Sequence, residues 1–506
     1  MQNWAKRGLQ TALVTGGLLM LGTGIASADE KDAVNPDKPA NPLDASLTIP
    51  IDIGNNAIGT PLGQVNLPEV KKTISTKPVT DALKGAAAKL SGQRVQQAGE
   101  KAAAVAQGVQ QKATAAAPQQ AKKATSSHEA GTLEGNRGSV DIVVPVQIAN
   151  NAIALLGDAE VSGGDHQQTY EGGSGVTTDG SGGVLAGNVV DVDYALPVQI
   201  ANNALGVGGK ATSTGNNATQ EIKTGDHTAT DGSGGVLAGN VIAPQGATPV
   251  QLTNNAAALI GKADSSGNTS EVKAQSGGSL LSDGTDGVLA GNVAGVPVAL
   301  PVELNNSALA GIGKAQSTDN ATSAEAQAGD VRHGSRVMKT YAETHGDNGV
   351  ASGTLIQPQV ASDVNVHGLA GAVGGIAASG LGESKSTTAG NTSSTTAQAG
   401  GYSNTSAVGG VLSGTVADAP VAFPVEGYCA AAGVVGKASA QCDNETTAKA
   451  GRETFTDGTD SVLGGTTATT PVGGTIEAFG LAGSVIGTAD AEATETKEIK
   501  AGGYNG

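Results

Sequence analysis

Residues 184–203, VLAGNVVDVDYALPVQIANN, decide the reading of this chain. The first phrase, VLAGN, begins at Val184, Val236 and Val288, with a related TLEGN at Thr132, so three consecutive intervals are 52 residues each. The second phrase, PVQIANN at Pro145 and Pro197, returns at the same spacing as PVQLTNN at Pro249 and PVELNN at Pro301. A fixed spacing with drifting sequence marks duplicated structural units. An enzyme requires one asymmetric pocket, whereas this chain repeats one surface. The pattern favours a structural or binding role.

Each unit has the same internal order. After VLAGN and a few variable residues comes an alternating strand in which Leu196, Val198 and Ile200 share one face and Pro197 and Gln199 the other. Val146 and Ile148, Val250 and Leu252, and Val302 and Leu304 are the matching strand residues. Asn202-Asn203 reads as a turn, and each unit closes in a polar stretch with a DG turn such as Asp231-Gly232. Short strands between repeated turn signals predict an all-β repeat architecture. Pro145, Pro197, Pro249 and Pro301 cannot donate to a ladder, which places each at an edge, a strand start or a bulge.

The units organise the chain as follows. Residues 1–28 read as a signal peptide: Lys6 and Arg7 precede an apolar run, and Ala26-Ser27-Ala28 gives a cleavage point between Ala28 and Asp29. Residues 29–70 hold an outlying PIDIGNN copy, and 71–130 are rich in Ala, Lys and Gln. Four repeats fill 131–348, a degenerate one 349–410, a cysteine-containing one 411–461, and a final repeat with a polar tail 462–506. No stretch beyond the signal approaches the ~20 apolar residues of a membrane span.

Within the Ala-rich segment, Val79, Leu83, Ala86, Leu90, Val95, Ala98, Ala102, Val105 and Val109 follow three- and four-residue steps, which predicts an amphipathic α-helix ending near Pro118. A partly disordered basic linker is the alternative. Residues 71–123 carry ten basic and two acidic side chains, a local +8. The formal net charge is −17, which becomes −19 without Lys6 and Arg7, and taking away the +8 leaves about −27 on the remainder. Such acidity argues against nucleic acid as a partner of the repeats. The basic segment instead suits an anionic cell-wall polymer.

Cores of this composition are unusual: Gly accounts for 77 of 506 residues and aromatics for 2%. Each repeat is therefore expected to depend on neighbours or an interface for burial. Cys429 and Cys442 are the only thiols, and in an exported chain a close pair points to one disulfide. The histidines, including Asp165-His166 and Asp226-His227, read as solvated loop residues, and the DG turns as plain turns. No catalytic constellation, cofactor motif or metal site stands out, so the chain reads as non-enzymatic.

The runs GVLAGN followed by PVQIANN, and GVLSGT followed by APVAFPVEGYC, resemble the chaplins, small secreted proteins that coat the aerial hyphae and spores of filamentous actinomycetes. The resemblance is distant. It covers about half of each unit from Gly131 to Ala489, and most units carry Ala201, Thr253 or their equivalents where the family has cysteine. It implies a surface-active protein that assembles into amphipathic, amyloid-like films. The sequence thus leads to a secreted structural protein of the cell wall or cell surface that self-assembles, or assembles with homologous surface proteins, through apolar strand faces. An extended stalk or adhesin that binds a glycan or protein through its variable loops is the alternative.

Overall fold

The computed structural model describes residues 43–76, 124–125, 135–173, 175–329, 341–374, 385–451 and 453–502. The signal reading, the junction between Ala28 and Asp29, most of the helix-or-linker segment (77–123 and 126–130) and the first four residues of the repeat region (131–134) lie outside these residues. Among the described residues every regular element is a β-strand, and successive repeats pair in parallel. This corrects the expected fold class: the chain forms a β-solenoid of stacked parallel rungs, and no helix is present among the described residues. Where those residues enter the segment 71–130, they are strands. Val70–Ser75 pairs antiparallel with Leu43–Gly54, and Ala124–Thr125 pairs parallel with Val176–Asp179. The β-branched Val70, Thr73 and Ile74 suit the first of these strands, and the residues that carry the helical spacing, Val79 to Val109, lie outside the described ones.

One repeat makes one rung. From Val184, Val189–Ala195 and Val198–Ala201 run along a first sheet, with Pro197 in the break between them. The chain turns at Asn202, then Ala204–Gly206, Lys210–Thr214 and Asn217–Thr224 build a second sheet. Thr228–Asp231 adds to a narrow third sheet before Val236 opens the next rung. Val198 stacks on Val250 and Gln199 on Gln251, a shift of one 52-residue repeat. The prolines need not lie at a sheet edge: Val198 N–H donates to the Pro145 carbonyl at 2.8 Å and Val250 N–H to Pro197 at 2.8 Å, so the ladder continues on the carbonyl side.

The outlying PIDIGNN phrase is the first rung. Asp52 lies in register with Gln147 and Ile53 with Ile148. Seven further rungs follow along the first sheet, ending at Ile476–Phe479. The period lengthens after Val288 because ten extra residues separate Ala321–Ala328 from Ala342–His345, compared with the equivalent connection one rung earlier. A second insertion follows Ala370–Gly374. Both leave the register of the sheets intact.

The two ends differ. At the N-terminal end, Gly63–Asn66 folds back on Ala57–Thr60 and Val70–Ser75 on Leu43–Gly54, so antiparallel strands cover the edge. At the C-terminal end, Thr488–Ala501 pairs with Lys437–Ala450 and with no other strand among the described residues.

Candidate assembly surface

The strand alternation is resolved in an unexpected direction. Gln147, Gln199, Gln251, Ala149 and Ala201 point inward and are fully or almost fully buried. Val146, Ile148, Val198, Ile200, Val250, Leu252, Val302 and Leu304, the apolar strand residues expected to stack into contacts between units or chains, all point outward. Leu252 and Leu304 remain 38% and 43% exposed. The interior between the first and second sheets is thin. It is filled mainly by alanines: Ala195, Ala247 and Ala299 meet Ile222, Ala274 and Ala326. A Val or Leu at each of these stacked positions would overfill that gap.

Amide ladders make the polar interior tenable. Gln199 Nε2 donates to Gln147 Oε1 at 2.8 Å and to the Ala218 carbonyl at 3.0 Å, and Gln251 repeats the first bond to Gln199 at 3.1 Å. The repeated phrases are themselves ladders. In VLAGN, the side chain of Asn188 donates to Asn136 at 3.1 Å, Asn240 to Asn188 at 2.9 Å and Asn292 to Asn240 at 3.0 Å. The corner residue takes positive φ (61° at Asn202, 59° at Asn254, 54° at Asn306), and an Asn that follows it bonds its counterpart in the preceding rung, as Asn203 does to Asn151 at 2.9 Å and Asn255 to Asn203 at 3.1 Å. Left-handed φ suits Asn because its short side chain bonds locally. Ordinarily such buried amides are costly, but here nearly every donor finds the next rung.

The disulfide occupies two of these ladder positions. Cys429, at φ 53°, sits in the corner position held elsewhere by Asn202, Asn254 and Asn306, and Cys442 stacks on Asn391. The two cysteines are joined, with Cα atoms 5.9 Å apart and both side chains buried. Beside them His367, Tyr428 and Phe479 stack with successive ring centroids 5.4 Å apart.

Outside, the first sheet presents a nearly unbroken apolar face. Ile142, Val144, Val146 and Ile148 are followed by Val190, Val192, Leu196, Val198 and Ile200, then by Val296, Val298, Leu300, Val302 and Leu304. Ile242 and Ile356 on the same face are 53% and 50% exposed. Rungs running from Val189 to Ala201 extend about 43 Å at ~3.3 Å per residue, and the stacked rungs reach about 34 Å at ~4.8 Å spacing, an area of roughly 1,400 Å². The largest apolar patch of an ordinary monomer is about 300–600 Å². A second apolar line runs along the edge, where Leu185, Leu237, Leu289, Leu412 and Leu463 all take left-handed φ of 54–56°. Bulky residues hold that conformation at a cost of about 1–3 kcal/mol, which is typical of positions kept for function.

Several carboxylates are buried. Burial raises Glu303 to about 7 despite hydrogen bonds from Thr395, Ser393 and Asn305. Burial and the neighbouring Glu426 and Glu303 raise Asp363 to about 8. Burial also lifts Asp191 to about 6 and Asp193 well above the usual carboxylate range, with Asp141 adding repulsion. Near the C-terminal end, Lys497 is held by Glu426, Glu477 and Glu495. The DG carboxylates close their own turns: Asp179 Oδ1 accepts from the Ser181 amide at 3.0 Å and Asp231 Oδ1 from the Ser233 amide at 2.9 Å. The loop-histidine expectation fails at three places: His367 is fully buried at the end of its strand. His166 is buried, and His227 is half-buried with Nδ1 2.8 Å from Ser279 Oγ.

No protein family, curated protein or solved structure matches the chain.

Proposed function

We propose that this is a non-enzymatic, secreted structural protein that assembles at the cell surface or at an air–water interface through the flat apolar face of its first sheet. The observation that carries this reading is the outward orientation of the Val, Ile and Leu ladders. A face of roughly 1,400 Å² laid against a second copy buries about 2,800 Å² in total, within the range of permanent interfaces. Laid on an interface, it places the apolar ladders in one phase and the polar outer face of the second sheet, with Glu160, Glu221 and Glu271, in the other. The chaplin-like phrases agree with this role, since VLAGN builds the left-handed Leu line and PVQIANN the outward Val/Ile pair.

The test is a triple variant, Ile200→Thr, Leu252→Thr and Leu304→Thr, which interrupts the middle of the apolar ladder that runs from Ile53 and Ile148 to Val366, with residues that keep a high strand preference. The wild type is expected to lower surface tension and to self-associate in sedimentation, and the variant to do neither while its circular dichroism is unchanged. A wild type that stays monomeric and surface-inactive sinks the proposal. So does a variant that behaves like wild type.

A further inference from the structure

At the N-terminal end the solenoid departs from its own pattern. His166 begins a ladder that continues with Ala218, Ser270, Thr322, Ser393, Asn444 and Glu495. The imidazole fits because the facing corner of the first rung is Gly54, where later rungs carry Ala149, Ala201, Thr253 and Asn305. A Cβ on Gly54 would come within 2.3 Å of His166 Cε1. The same rung replaces the ladder glutamine with an acid, Asp52, in register with Gln147. Two unmatched substitutions and one matched cavity therefore bring a carboxylate and an imidazole together.

Their contact is incomplete. His166 Nδ1 and Asp52 Oδ1 are 4.0 Å apart, too far for a hydrogen bond, and neither buried atom has another hydrogen-bond partner. Both side chains are at least nine-tenths buried. A third group closes the mouth: one carboxylate oxygen of Glu69, on the returning cap strand segment, lies within 4.8 Å of both. Two ligands of a tetrahedral Zn²⁺ with bonds of ~2.0–2.1 Å stand about 3.3 Å from each other, so closing the site needs movements of less than 1 Å to about 1.5 Å. Glu69 pairs with Lys71 at 2.8 Å, but both side chains are more than half exposed. An exposed pair of this kind is worth ~0–1 kcal/mol and yields readily to a metal ligand.

We propose that Asp52, Glu69 and His166 form a divalent-metal site of the zinc class, with water completing the coordination on the exposed Glu69 side. One imidazole and two carboxylates form a donor set suited to Zn²⁺. The ligands come from the first rung, the cap and the second rung, so a bound ion staples the cap to the body of the solenoid. Two other clusters are already satisfied. Glu426, Glu477 and Glu495 enclose Lys497, and the thiols beside His367 are joined as a disulfide.

The experiment uses the full disulfide-bonded chain, stripped with EDTA and titrated with Zn²⁺ by calorimetry. Wild type is expected to bind one equivalent that is lost in His166→Ala and weakened at least roughly tenfold in Glu69→Gln, as losing a ligand costs no less than losing a supporting partner. His345→Ala, at a partly exposed histidine far along the chain, is expected to bind as wild type does. Zn²⁺ is also expected to raise the melting temperature of wild type and not that of His166→Ala. If His166→Ala misfolds by circular dichroism, Glu69→Gln decides alone, because its side chain is exposed. The proposal is overturned by a wild type that binds no stoichiometric Zn²⁺ below about 0.1 mM, where affinity falls to that of weak extracellular cation sites. Equal binding by wild type and Glu69→Gln overturns it equally.

Discussion

The substitution Glu303→Gln is expected to make the protein more stable at pH 8 and no different at pH 4.5. Glu303 occupies the position of Gln147, Gln199 and Gln251, one rung further on, and is 2% exposed. Burial raises its carboxyl from the usual 4.5 to about 7. Between these values the native state holds a proton that the unfolded state has released. Stability is therefore fully present below about pH 4.5 and falls as pH rises through about 7. A difference of about 2.5 pH units at 1.36 kcal/mol per unit sets an upper figure of about 3 kcal/mol. The neutral amide of the variant carries no such penalty: its one oxygen keeps the acceptor for Ser393 and Asn305, and its Nε2 takes the other place as a donor to the Thr395 hydroxyl, which can accept. Asp193 and Asp418, both raised by burial, titrate in both proteins and cancel in the comparison, whereas the repulsion that Glu303 exerts on Asp363 disappears with its charge and adds to the gain at pH 8. Urea midpoints followed by circular dichroism at pH 4.5, 6 and 8 give the readout, supplemented by amide exchange at Val302–Asn305, because stacked repeats can open in parts. Midpoints that run parallel across pH, or a variant weaker than wild type at pH 8, would refute the reasoning.

Gln199→Leu strands one N–H of Gln251, whose other N–H still donates to the Ser323 carbonyl, and the Oε1 of Gln147, so a loss of about 2–4 kcal/mol is expected, whereas Ile200→Thr next to it is expected to cost less than about 1 kcal/mol. Denaturation of the two variants side by side checks whether polar residues are inside; the reverse ranking would exclude the inward ladder. Cys429 and Cys442 are expected to resist alkylation until reduced, as read by intact mass, and reduction is expected to lower stability by about 3 kcal/mol for a loop of this length. Deleting residues 77–123, which spares the cap strand Val70–Ser75, is expected to abolish salt-sensitive retention on purified anionic cell wall, screening acting over a Debye length of ~10 Å at 0.1 M. Unchanged retention across a salt series would assign anchoring to the solenoid alone.

The sequence by itself determined the repeat and its period, the positions of turns at Asn202-Asn203 and Asp231-Gly232, and the two-faced character of Leu196–Ile200. These follow from local chemistry: left-handed φ selects Asn and Gly, and a strand separates odd from even residues. It also brought Cys429 and Cys442 together, since they are the only thiols in the chain. What the tertiary structure decided was which face is inside. Alternation is symmetric about the strand, and the choice depends on what lies opposite: Gln199 and Ala201 face Ala218, Gln220 and Ile222 with amides and small side chains, whereas at the start of each rung Val189, Val241 and Val293 stack inside. The same holds for Val70–Ser75, whose strand form comes from the open edge of Leu43–Gly54, and for Asp52, Glu69 and His166, which meet only because the first two rungs lie in register. Pairing across rungs is a long-range property, and a residue's neighbour there is about fifty positions away. The physical meaning of VLAGN and PVQIANN, as asparagine and glutamine ladders with an apolar exterior, appears only once the rungs are stacked.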